Sequence, residues 1–417
     1  MKTNNFIDVK SCKLCSSNNL IKVLELSKLP IGDKYTSKEN VSQSKDLFSL
    51  DIMMCESCKH YQNSVAVNPD LIYNVYLSRP STTNPVLSDA FKEYANYLVD
   101  NFGKDQNLFA VEAGSNDGAF INYMQEKLNV KVLGVEPSDL SKQANKNNIL
   151  TIKNYFGLNL AQEIKKDHGP ANFFIANHTF SNIVDLKDFV AGVRHLLKPN
   201  GVFSMQTHYH KAVVEKNLIE NFTHEHLSSF YLKPLKSFFE KQNMEIFDAK
   251  LVPAKSGSIR CFIQNKNGPN KILPSVNEII KMEEEFSMDQ KTRHDSLNDF
   301  IQNIKKQLHA FIDPLVKDNK KVAAFGTSIG ATTFCFNYDL GKSISFFLDD
   351  DKYRQNLLSP YYHIPVLSPT EIYKIKPSAI IILAPLYADI IIKKNIKYFN
   401  EGGVFVKIWP KFEIVKK

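Results

Sequence analysis

The sequence lacks any apolar stretch long enough to cross a membrane as a helix, which needs about 20 residues. Its most apolar stretch, Ala379–Ile392, falls short of that length and is interrupted by Pro385 and Asp389. The amino terminus, Met1-Lys-Thr-Asn-Asn-Phe6, also lacks the apolar segment of a secretory signal. We therefore expect a cytoplasmic protein with no membrane partner.

Concentrated positive charge is missing as well. The chain has 52 basic and 44 acidic residues, a formal net charge of +8, but its lysines are scattered. Because no run of five or six basic residues occurs, a Lys-rich soluble surface is favoured over a nucleic-acid partner. The 417 residues are 43% hydrophobic and 23% charged, which is typical of a globular protein with a full core. At roughly 100–200 residues per domain, this length predicts two or three domains.

Cysteine is scarce, with six residues in the chain, and disulfides are rare in a reducing cytoplasm. Four of the six form two C-x-x-C pairs, which are Cys12/Cys15 and Cys55/Cys58. Each pair offers two thiolates from one tight turn, and two such turns supply a closed, structural zinc site. The apolar runs Leu20–Leu26 and Leu47–Met54 predict the hairpin that brings the pairs together. Redox-active or unpaired core cysteines are the alternatives.

Two phosphate-binding signatures are absent from the Gly-rich turn that follows the apolar run Phe109–Ala113. The turn reads Gly114-Ser-Asn-Asp-Gly118, with neither G-x-G-x-x-G nor G-K-[ST]. After it, alternating patterns predict a helix from residue 119, then strands at 130–135, 149–152, 171–176 and 201–205, with helices at 140–146, 158–166 and 186–197. This alternation predicts an α/β fold with a doubly wound parallel sheet, whose ligands bind at the carboxyl ends of the strands.

One acidic residue at such a strand end, Glu136, indicates what the ligand contains. A carboxylate at the end of the second strand can accept hydrogen bonds from both ribose hydroxyls. A ligand that has a ribose but no phosphate agrees with the missing signatures, and S-adenosylmethionine is such a ligand. A generic α/β domain without this cofactor is the alternative.

Motifs along nearly the whole chain resemble the sugar C-methyltransferase family, enzymes that methylate carbon 3 of nucleotide-linked 4-keto-deoxysugars. The stretch Glu112-Ala-Gly-Ser-Asn-Asp-Gly118 is similar to the family's E-x-G-S-N-D-G loop, and Gly134-Val-Glu136-Pro is similar to its G-x-E-P. The segment Tyr76-Leu-Ser78 resembles its Y-x-S, and the cysteine pairs resemble its zinc module. The resemblance implies S-adenosylmethionine and structural zinc as cofactors. It implies cofactor contacts at Glu112, Gly114, Ser115, Asn116, Gly118, Glu136 and Asn177, and zinc ligands at Cys12, Cys15, Cys55 and Cys58.

Histidines are concentrated in Phe222-Thr-His-Glu-His-Leu-Ser-Ser229. In an extended segment His224 and His226 share one face, and Glu225 faces away unless the segment turns. The residues alone permit a metal site, a general base or a polar surface, and the H-E-x-x-H of metalloproteases is absent. A base has a use beside a methyl donor, because a carbon acceptor must first lose a proton next to a carbonyl.

The family's similar motif, Y-H-E-H-x-S-Y, implies base chemistry for His226 and Glu225. It places Thr223 where the family has a tyrosine, and Asn182 stands where the family has a histidine. The resemblance also implies a substrate site that includes Tyr76, Thr223, His224 and Arg260. For Arg260, in a strand similar to the family's G-G-S-x-R, a phosphate contact and a structural ion pair are both open.

The last third of the chain predicts a connector and a second α/β unit. Residues 274–318 have the pattern of a helix pair, and a strand with the turn Gly326-Thr-Ser-Ile-Gly330 follows Lys321. This unit resembles the family's C-terminal domain, with Gly330 and Thr332 in place of its Lys and Asn. The turn either contacts the substrate's nucleotide or only caps the sheet. The predicted domains are a zinc module at 1–85, a cofactor domain at 86–272, a helical connector at 273–318 and a C-terminal α/β domain at 319–417.

The leading functional hypothesis is S-adenosylmethionine-dependent C-methylation of a nucleotide-linked keto-deoxysugar through an enolate. The substitutions at Thr223, Asn182 and Gly330 motivate a second hypothesis, in which oxygen or nitrogen of a related metabolite accepts the methyl group. A third hypothesis is a binding protein that keeps the scaffold without catalysis. We expect a monomer or a small homo-oligomer.

Overall fold

The computed structural model describes residues 5–41, 46–73 and 85–417, with side chains of the third range described from residue 88. Within these ranges, no helix combines the length and apolarity that crossing a membrane requires.

The first part of the chain is built from short strands around the cysteines. Its elements are β1 (Phe6–Asp8), β2 (Leu20–Leu24), β3 (Ile52–Cys55), β4 (Tyr61–Asn63), β5 (Val65–Val67) and helix α1 (Pro69–Tyr73). Strands β2, β3 and β4 are antiparallel neighbours, and β1 pairs with β5. Leu20 lies opposite Cys55 in this register. The hairpin predicted from the two apolar runs is therefore present, with strands shorter than those runs.

The central part is an α/β domain with a seven-stranded sheet. Its elements are α2 (Pro85–Phe102), β6 (Phe109–Ala113), α3 (Ala119–Leu128), β7 (Lys131–Val135), α4 (Leu140–Lys146), β8 (Thr151–Ile152), α5 (Leu158–His168), β9 (Ala171–Asn177), α6 (Leu186–Leu196), β10 (Leu197–His208), α7 (His210–Glu215), β11 (Ser228–Ser229), α8 (Leu232–Lys241), β12 (Met244–Val252) and β13 (Ser258–Asn265). The sheet order is β12-β13-β10-β9-β6-β7-β8. The five strands from β10 to β8 are parallel, and β12 and β13 form an antiparallel edge.

Strand β6 occupies the point where the strand order reverses. Its neighbours are β7, the next strand in the chain, and β9, which comes after two further crossovers. All five of its residues are buried, as a parallel strand covered by helices on both faces requires. The carboxyl ends of β6, β7 and β9 therefore meet at the edge where doubly wound sheets bind ligands.

The last part consists of the predicted helix pair and a second parallel sheet. Its elements are α9 (Pro274–Glu285), α10 (Asp295–Lys317), β14 (Val322–Phe325), α11 (Ile329–Asn337), β15 (Phe346–Leu348), β16 (Val366–Leu367), α12 (Ile372–Ile375), β17 (Ala379–Ile382), α13 (Ala388–Lys394), α14 (Ile396–Asn400), β18 (Phe405–Lys407) and β19 (Glu413–Val415). The sheet order is β16-β15-β14-β17-β18-β19, and only β19 runs antiparallel to its neighbour. The domain boundaries proposed at 272/273 and 318/319 fall between these elements.

The segment Phe222–Ser229 joins all three parts. Strand β11, at its end, adds to the cysteine-containing sheet by pairing with β4. The Asn63 side chain donates to the Thr223 carbonyl at 2.9 Å. From the C-terminal part, the Thr333 hydroxyl donates to the Phe222 carbonyl at 3.0 Å. The predicted base residues therefore lie on a segment held from two sides.

Two buried histidines lie beside this junction. The Nε2 atoms of His210 and His294 are 3.1 Å apart, and the Tyr61 ring lies against both imidazoles. Such a hydrogen bond needs one donor and one acceptor, so the two rings cannot both be charged. Burial lowers the pKa of both, that of His294 to about 4.

Acid should destabilise the fold through this pair. An unfolded histidine has a pKa of about 6.5, so the unfolded chain binds more protons than the folded one between pH 6.5 and 4. Stability is fully present above pH 6.5 and falls as the pH drops through this window. Urea denaturation of the wild type and of His294→Gln at pH 8 and pH 5.5 measures the effect. The variant should lose less stability between the two pH values, and an unchanged difference would exclude His294 as a contributor.

Candidate active site and metal centre

The two cysteine pairs converge on one point. The Sγ atoms of Cys12 and Cys58 are 3.4 Å apart, those of Cys15 and Cys55 are 3.6 Å apart, and all four lie within 4.8 Å of one another. Four sulfurs bound to one zinc ion at about 2.3 Å would be separated by about 3.8 Å. All four are free thiols rather than disulfides. The arrangement therefore fits tetrahedral zinc with no open position for a substrate.

His224, Glu225 and His226 do not form a comparable group. Across residues 5–41, 46–73 and 85–417, the four cysteines are the only cluster of three or more metal-ligating side chains. The metal-site alternative for the His-Glu-His segment therefore has no support in the structure.

A cavity of about 610 Å³ opens at the carboxyl ends of β6, β7 and β9. Six of the seven predicted cofactor residues line it: Glu112, Gly114, Ser115, Asn116, Glu136 and Asn177. Gly118, the seventh, precedes α3 and is not part of the wall. The aromatic side chains of Phe91, Phe120, Tyr155 and Phe156 add apolar surface. The rule that ligands bind at the carboxyl ends of parallel strands therefore predicted the location of nearly all of these residues.

Glycine is required at both ends of the turn. Gly114 has φ +70°, and a Cβ there would lie 2.2 Å from the Thr179 hydroxyl oxygen. Gly118 has φ +79°, and a Cβ there would lie 2.8 Å from Ile149. Both backbone conformations are rare for residues with a side chain. Gly118 therefore shapes the turn, whereas Gly114 both shapes it and lines the cavity.

Glu136 is held by the turn. Its two carboxylate oxygens accept backbone N–H groups from Asn116 at 3.0 Å and Ser138 at 2.9 Å. Each oxygen keeps lone-pair capacity for a further donor, as two ribose hydroxyls would supply. The ribose contact of Glu136 stays a prediction, and its position at the cavity wall fits it.

Glu112 carries an unsatisfied carboxylate oxygen. The side chain is 3% exposed, and its Oε1 accepts from the Asn177 side chain at 3.3 Å. Its Oε2 is buried and has no hydrogen-bond partner among the described residues. Burial raises the pKa of Glu112 to about 8. A cationic group in the cavity, such as the ammonium of S-adenosylmethionine, would satisfy this oxygen and favour its ionised form.

The predicted acceptor side chains do not all reach this cavity. The segment bends at His224 and Glu225 instead of staying extended. His224 packs against Phe48 and contacts its carbonyl at 3.3 Å, and Thr223 is buried beside it. Neither side chain lines the cavity. Their predicted substrate contacts therefore lack support, because neither side chain belongs to the cavity wall.

His226 turns the other way and joins a row of three imidazoles. Its ring centroid lies 4.6 Å from that of His208, which lies 5.1 Å from that of His178. His178 lines the cavity, and His226 does not. The Nδ1 of His226 lies 2.7 Å from the Asn221 carbonyl, so it carries the proton and leaves Nε2 as an acceptor. Burial lowers the pKa of His226 to about 4.

The other two predicted substrate residues remain open. Arg260 is buried on β13, where its Nε donates to Gln206 at 2.8 Å and its guanidinium stacks on Tyr94. The cavity wall does not include it, so a phosphate contact of Arg260 stays a prediction. Tyr76 lies outside the described residues.

Two cavity residues went unassigned in the sequence. His178 directly follows the last residue of β9, so the rule that ligands bind at the carboxyl ends of parallel strands could have predicted it as a cavity residue. Lys255 lies in the turn between β12 and β13, just before the motif Ser256-Gly-Ser-Ile-Arg260. No periodic pattern marks a turn residue of this kind.

The Gly-rich turn of the C-terminal part packs against other parts of the chain. A Cβ on Gly330 would lie 2.6 Å from the Glu220 side chain, and the Thr332 hydroxyl donates to the Gly32 carbonyl at 3.0 Å. The backbone N–H of Thr327, in the turn, donates to the carboxylate of Asp349, which directly follows β15, at 2.8 Å. These contacts support the capping alternative over a nucleotide contact.

Three family models match successive parts of the chain. A zinc binding domain matches residues 12–73, a methyltransferase domain matches residues 87–248, and a C-methyltransferase C-terminal domain matches residues 253–410. The C-methyltransferase NovU of Streptomyces niveus is 24% identical over 409 residues, covering 98% of this chain and 97% of its own. Together these matches support the resemblance of the chain to the sugar C-methyltransferase family. The chain is an S-adenosylmethionine-dependent methyltransferase with structural zinc, which sets aside a non-catalytic binding protein.

Solved methyltransferases resemble parts of this methyltransferase. An S-adenosylmethionine-dependent methyltransferase from Clostridium acetobutylicum aligns with 42% of this chain and 92% of its own, at 10% identity and a TM-score of 0.35. The plantazolicin methyltransferase BpumL in complex with SAH aligns with 42% of this chain and 82% of its own, at 12% identity and a TM-score of 0.33.

Two substitutions should distinguish the predicted ammonium contact of Glu112 from the predicted ribose contact of Glu136. Glu112→Gln should weaken S-adenosylmethionine binding by about 10- to 100-fold, the value of a hydrogen bond to a charged group. The same variant should bind 5′-methylthioadenosine normally, because that ligand has the ribose but no ammonium. Glu136→Gln should weaken the binding of both ligands, because both contain the ribose. Calorimetry provides the affinities, and an equal loss of both ligands in Glu112→Gln would contradict the ammonium contact.

Loss of one zinc ligand should unfold the cysteine-containing part. Structural zinc contributes about 10–16 kcal/mol of apparent folding free energy in zinc-finger peptides. Cys55→Ser should therefore lose bound zinc and lower the melting temperature, as measured by plasma mass spectrometry and calorimetry. Cys335→Ala, at a buried cysteine outside the cluster, is the control and should keep one zinc per chain. Full zinc retention in Cys55→Ser would exclude the four-thiolate site.

Proposed function

We propose that this methyltransferase methylates a carbon atom next to the carbonyl of a nucleotide-linked keto-deoxysugar. The observation that carries the proposal is the placement of the buried Glu225 carboxyl and of His226, whose ring packs on His208 and through it on His178 of the cavity wall. The similarity to a protein named C-methyltransferase NovU supports the same chemistry. A carbon acceptor needs such a base, because a C–H bond next to a carbonyl is a poor nucleophile until it is deprotonated.

Glu225 has the pKa that a base needs near neutral pH. It is 8% exposed, and burial together with the nearby Asp33 charge raises its pKa to about 7. Its charge also acts on Tyr73 and Lys255, both of which line the cavity. General bases are most effective when their pKa matches the working pH. Glu225 is therefore our first choice for the group that takes the acceptor's proton.

His226 supports this base through a fixed tautomer. Its Nδ1 proton is committed to the Asn221 carbonyl, so Nε2 can accept a proton. Its low pKa keeps it uncharged at neutral pH, which makes it ready to accept but weak as a final proton store. We propose that Glu225 and His226 share the proton taken from the acceptor, with His208 packed against His226.

The cofactor side of the reaction depends on positioning. S-adenosylmethionine supplies an electrophilic methyl group when it is bound. Glu112 and Asn177, which are hydrogen-bonded to each other, line the cavity beside His178. Glu136 also lines it and accepts a hydrogen bond from Asn116 of the Gly-rich turn. Apolar and aromatic walls exclude water, which protects a reactive carbanion from reprotonation.

An oxygen or nitrogen acceptor is the second candidate. Asn182, which stands where the family has a histidine, lines the cavity and donates to the Tyr73 hydroxyl at 3.1 Å. An amide cannot serve as a base, so the cavity wall offers fewer proton acceptors than the family pattern implies. Oxygen and nitrogen acceptors need less activation than carbon and would tolerate this change.

Proton exchange without the cofactor distinguishes the two candidates. With nucleotide-linked 4-keto-deoxysugars in D₂O, the wild type should incorporate deuterium next to the carbonyl. Glu225→Gln and His226→Ala should slow this exchange by about 10²–10⁴-fold. Wild-type exchange should also increase as the pH rises through about 7, because Glu225 must be ionised to accept the proton.

Glu220→Gln is the matched control for Glu225→Gln. Glu220 is another buried carboxyl whose pKa burial raises to about 7, but it packs beneath Gly330 and does not line the cavity. Its variant should exchange at the wild-type rate. Methylation of oxygen or nitrogen without any exchange at carbon would replace the first candidate with the second.

A further inference from the structure

Lys255 occupies a backbone conformation that proteins use sparingly. It lies in a 3₁₀ turn, Ala254–Ser256, that connects β12 to β13. Its φ and ψ are 50° and 42°, and the next residue, Ser256, also has a positive φ of 70°. Two consecutive residues with side chains in the left-handed region cost free energy, and such strain is concentrated at functional sites.

The surrounding protein holds this turn in place. The Lys216 ammonium donates to the Ser256 carbonyl at 2.7 Å, and the Ser258 hydroxyl donates to the Ala254 carbonyl at 2.8 Å. At Gly257, with φ +140°, a Cβ would lie 2.7 Å from Ala212 on α7. The turn is therefore fixed against α7, and its direction is not a consequence of loose packing.

The fixed turn makes Lys255 part of the cavity wall. It is an exposed residue that lines the cavity, and no hydrogen bond or ion pair joins its ammonium to the described residues. It is also the one lysine or arginine among the described residues that line the cavity, alongside Glu112, Glu136, Asp185 and Asp188. A lone cation in an otherwise acidic cavity marks a place for negative charge on a ligand.

The Lys255 charge lies close to the proposed base. The groups that its charge influences are Glu225, His178, His208 and His226, which come from three separate elements. Ser258, which follows this turn, lies opposite His208 in the pairing of β10 with β13, and the His208 ring packs against those of His178 and His226. Lys255 therefore lies on the same side of the cavity as the proposed base. A phosphate at some distance from the reacting carbon would not need this location.

We propose that Lys255 is a catalytic residue whose ammonium faces the carbonyl oxygen of the acceptor and stabilises the enolate. This role rests on the proposed carbon methylation. In the step, the C–H bond breaks and its proton passes to the Glu225–His226 pair. The C–H electron pair forms the C=C bond, and the carbonyl π pair moves to the oxygen beside Lys255. Charge-assisted donors aimed at a developing oxyanion are among the largest contributions to catalysis.

Lys255→Met tests this role with a side chain of similar length and no charge. At saturating keto-sugar and without cofactor, it should slow deuterium exchange by about 10²–10³-fold, the effect of losing one oxyanion donor. The dissociation constant for the sugar should change far less than the rate. Lys255→Arg should recover part of the rate, because it restores the charge. Lys241→Met, at an exposed residue that ends α8, is the control and should match the wild type.

Three outcomes would overturn the assignment. Wild-type exchange in Lys255→Met, with normal folding shown by its melting temperature, would remove Lys255 from catalysis and leave the carbon-methylation proposal intact. Weaker sugar binding with an unchanged saturated rate would make Lys255 a phosphate contact instead. If the wild type itself methylates oxygen or nitrogen without exchange, the carbon-methylation proposal fails first, and the enolate role of Lys255 fails with it.

Discussion

The desolvation of a few ionisable side chains is the constraint on which this site depends. Glu112 and Glu225 are both buried, and burial raises their pKa values to about 8 and about 7. A solvated carboxylate at either position would be ionised at all working pH values and already satisfied by water. Burial keeps Glu112 available for a cationic group of a ligand and makes Glu225 available for a proton. The same burial costs folding free energy, which the extensive apolar core offsets.

Much of the fold follows from local pattern. Alternating strands and helices from residue 109 onward predict the parallel sheet, and helix α4 was predicted with its observed bounds, Leu140–Lys146. The pattern did not reveal that β12 and β13 form an antiparallel edge of the same sheet, or that β11 joins the cysteine-containing sheet. Those pairings connect residues far apart in the chain, and β11 has only two residues, too few to show a period.

The site divides in the same way. Glu112, Glu136 and Asn177 were predictable because parallel strands bring their carboxyl ends to one edge, whichever helices lie between them. The positions of Thr223 and His224 were not, because the segment bends at His224 and Glu225 instead of staying extended. Lys255 depends on a positive φ, which its own residue type gives no reason to expect. Side chains on regular elements were thus predictable, and those on turns depended on tertiary packing.

The zinc module has a part in this chemistry although its metal site is closed. The side chain and the backbone N–H of Asn63, on β4, donate hydrogen bonds to the carbonyls of Thr223 and Leu227. These two residues lie on either side of Glu225 and His226. Strand β4 follows Cys58 directly in the chain and neighbours β3, which ends at Cys55. Folding free energy supplied by zinc therefore stabilises the strand that positions the proposed base. Such a metal adds rigidity because the module is too small to obtain it from a hydrophobic core alone.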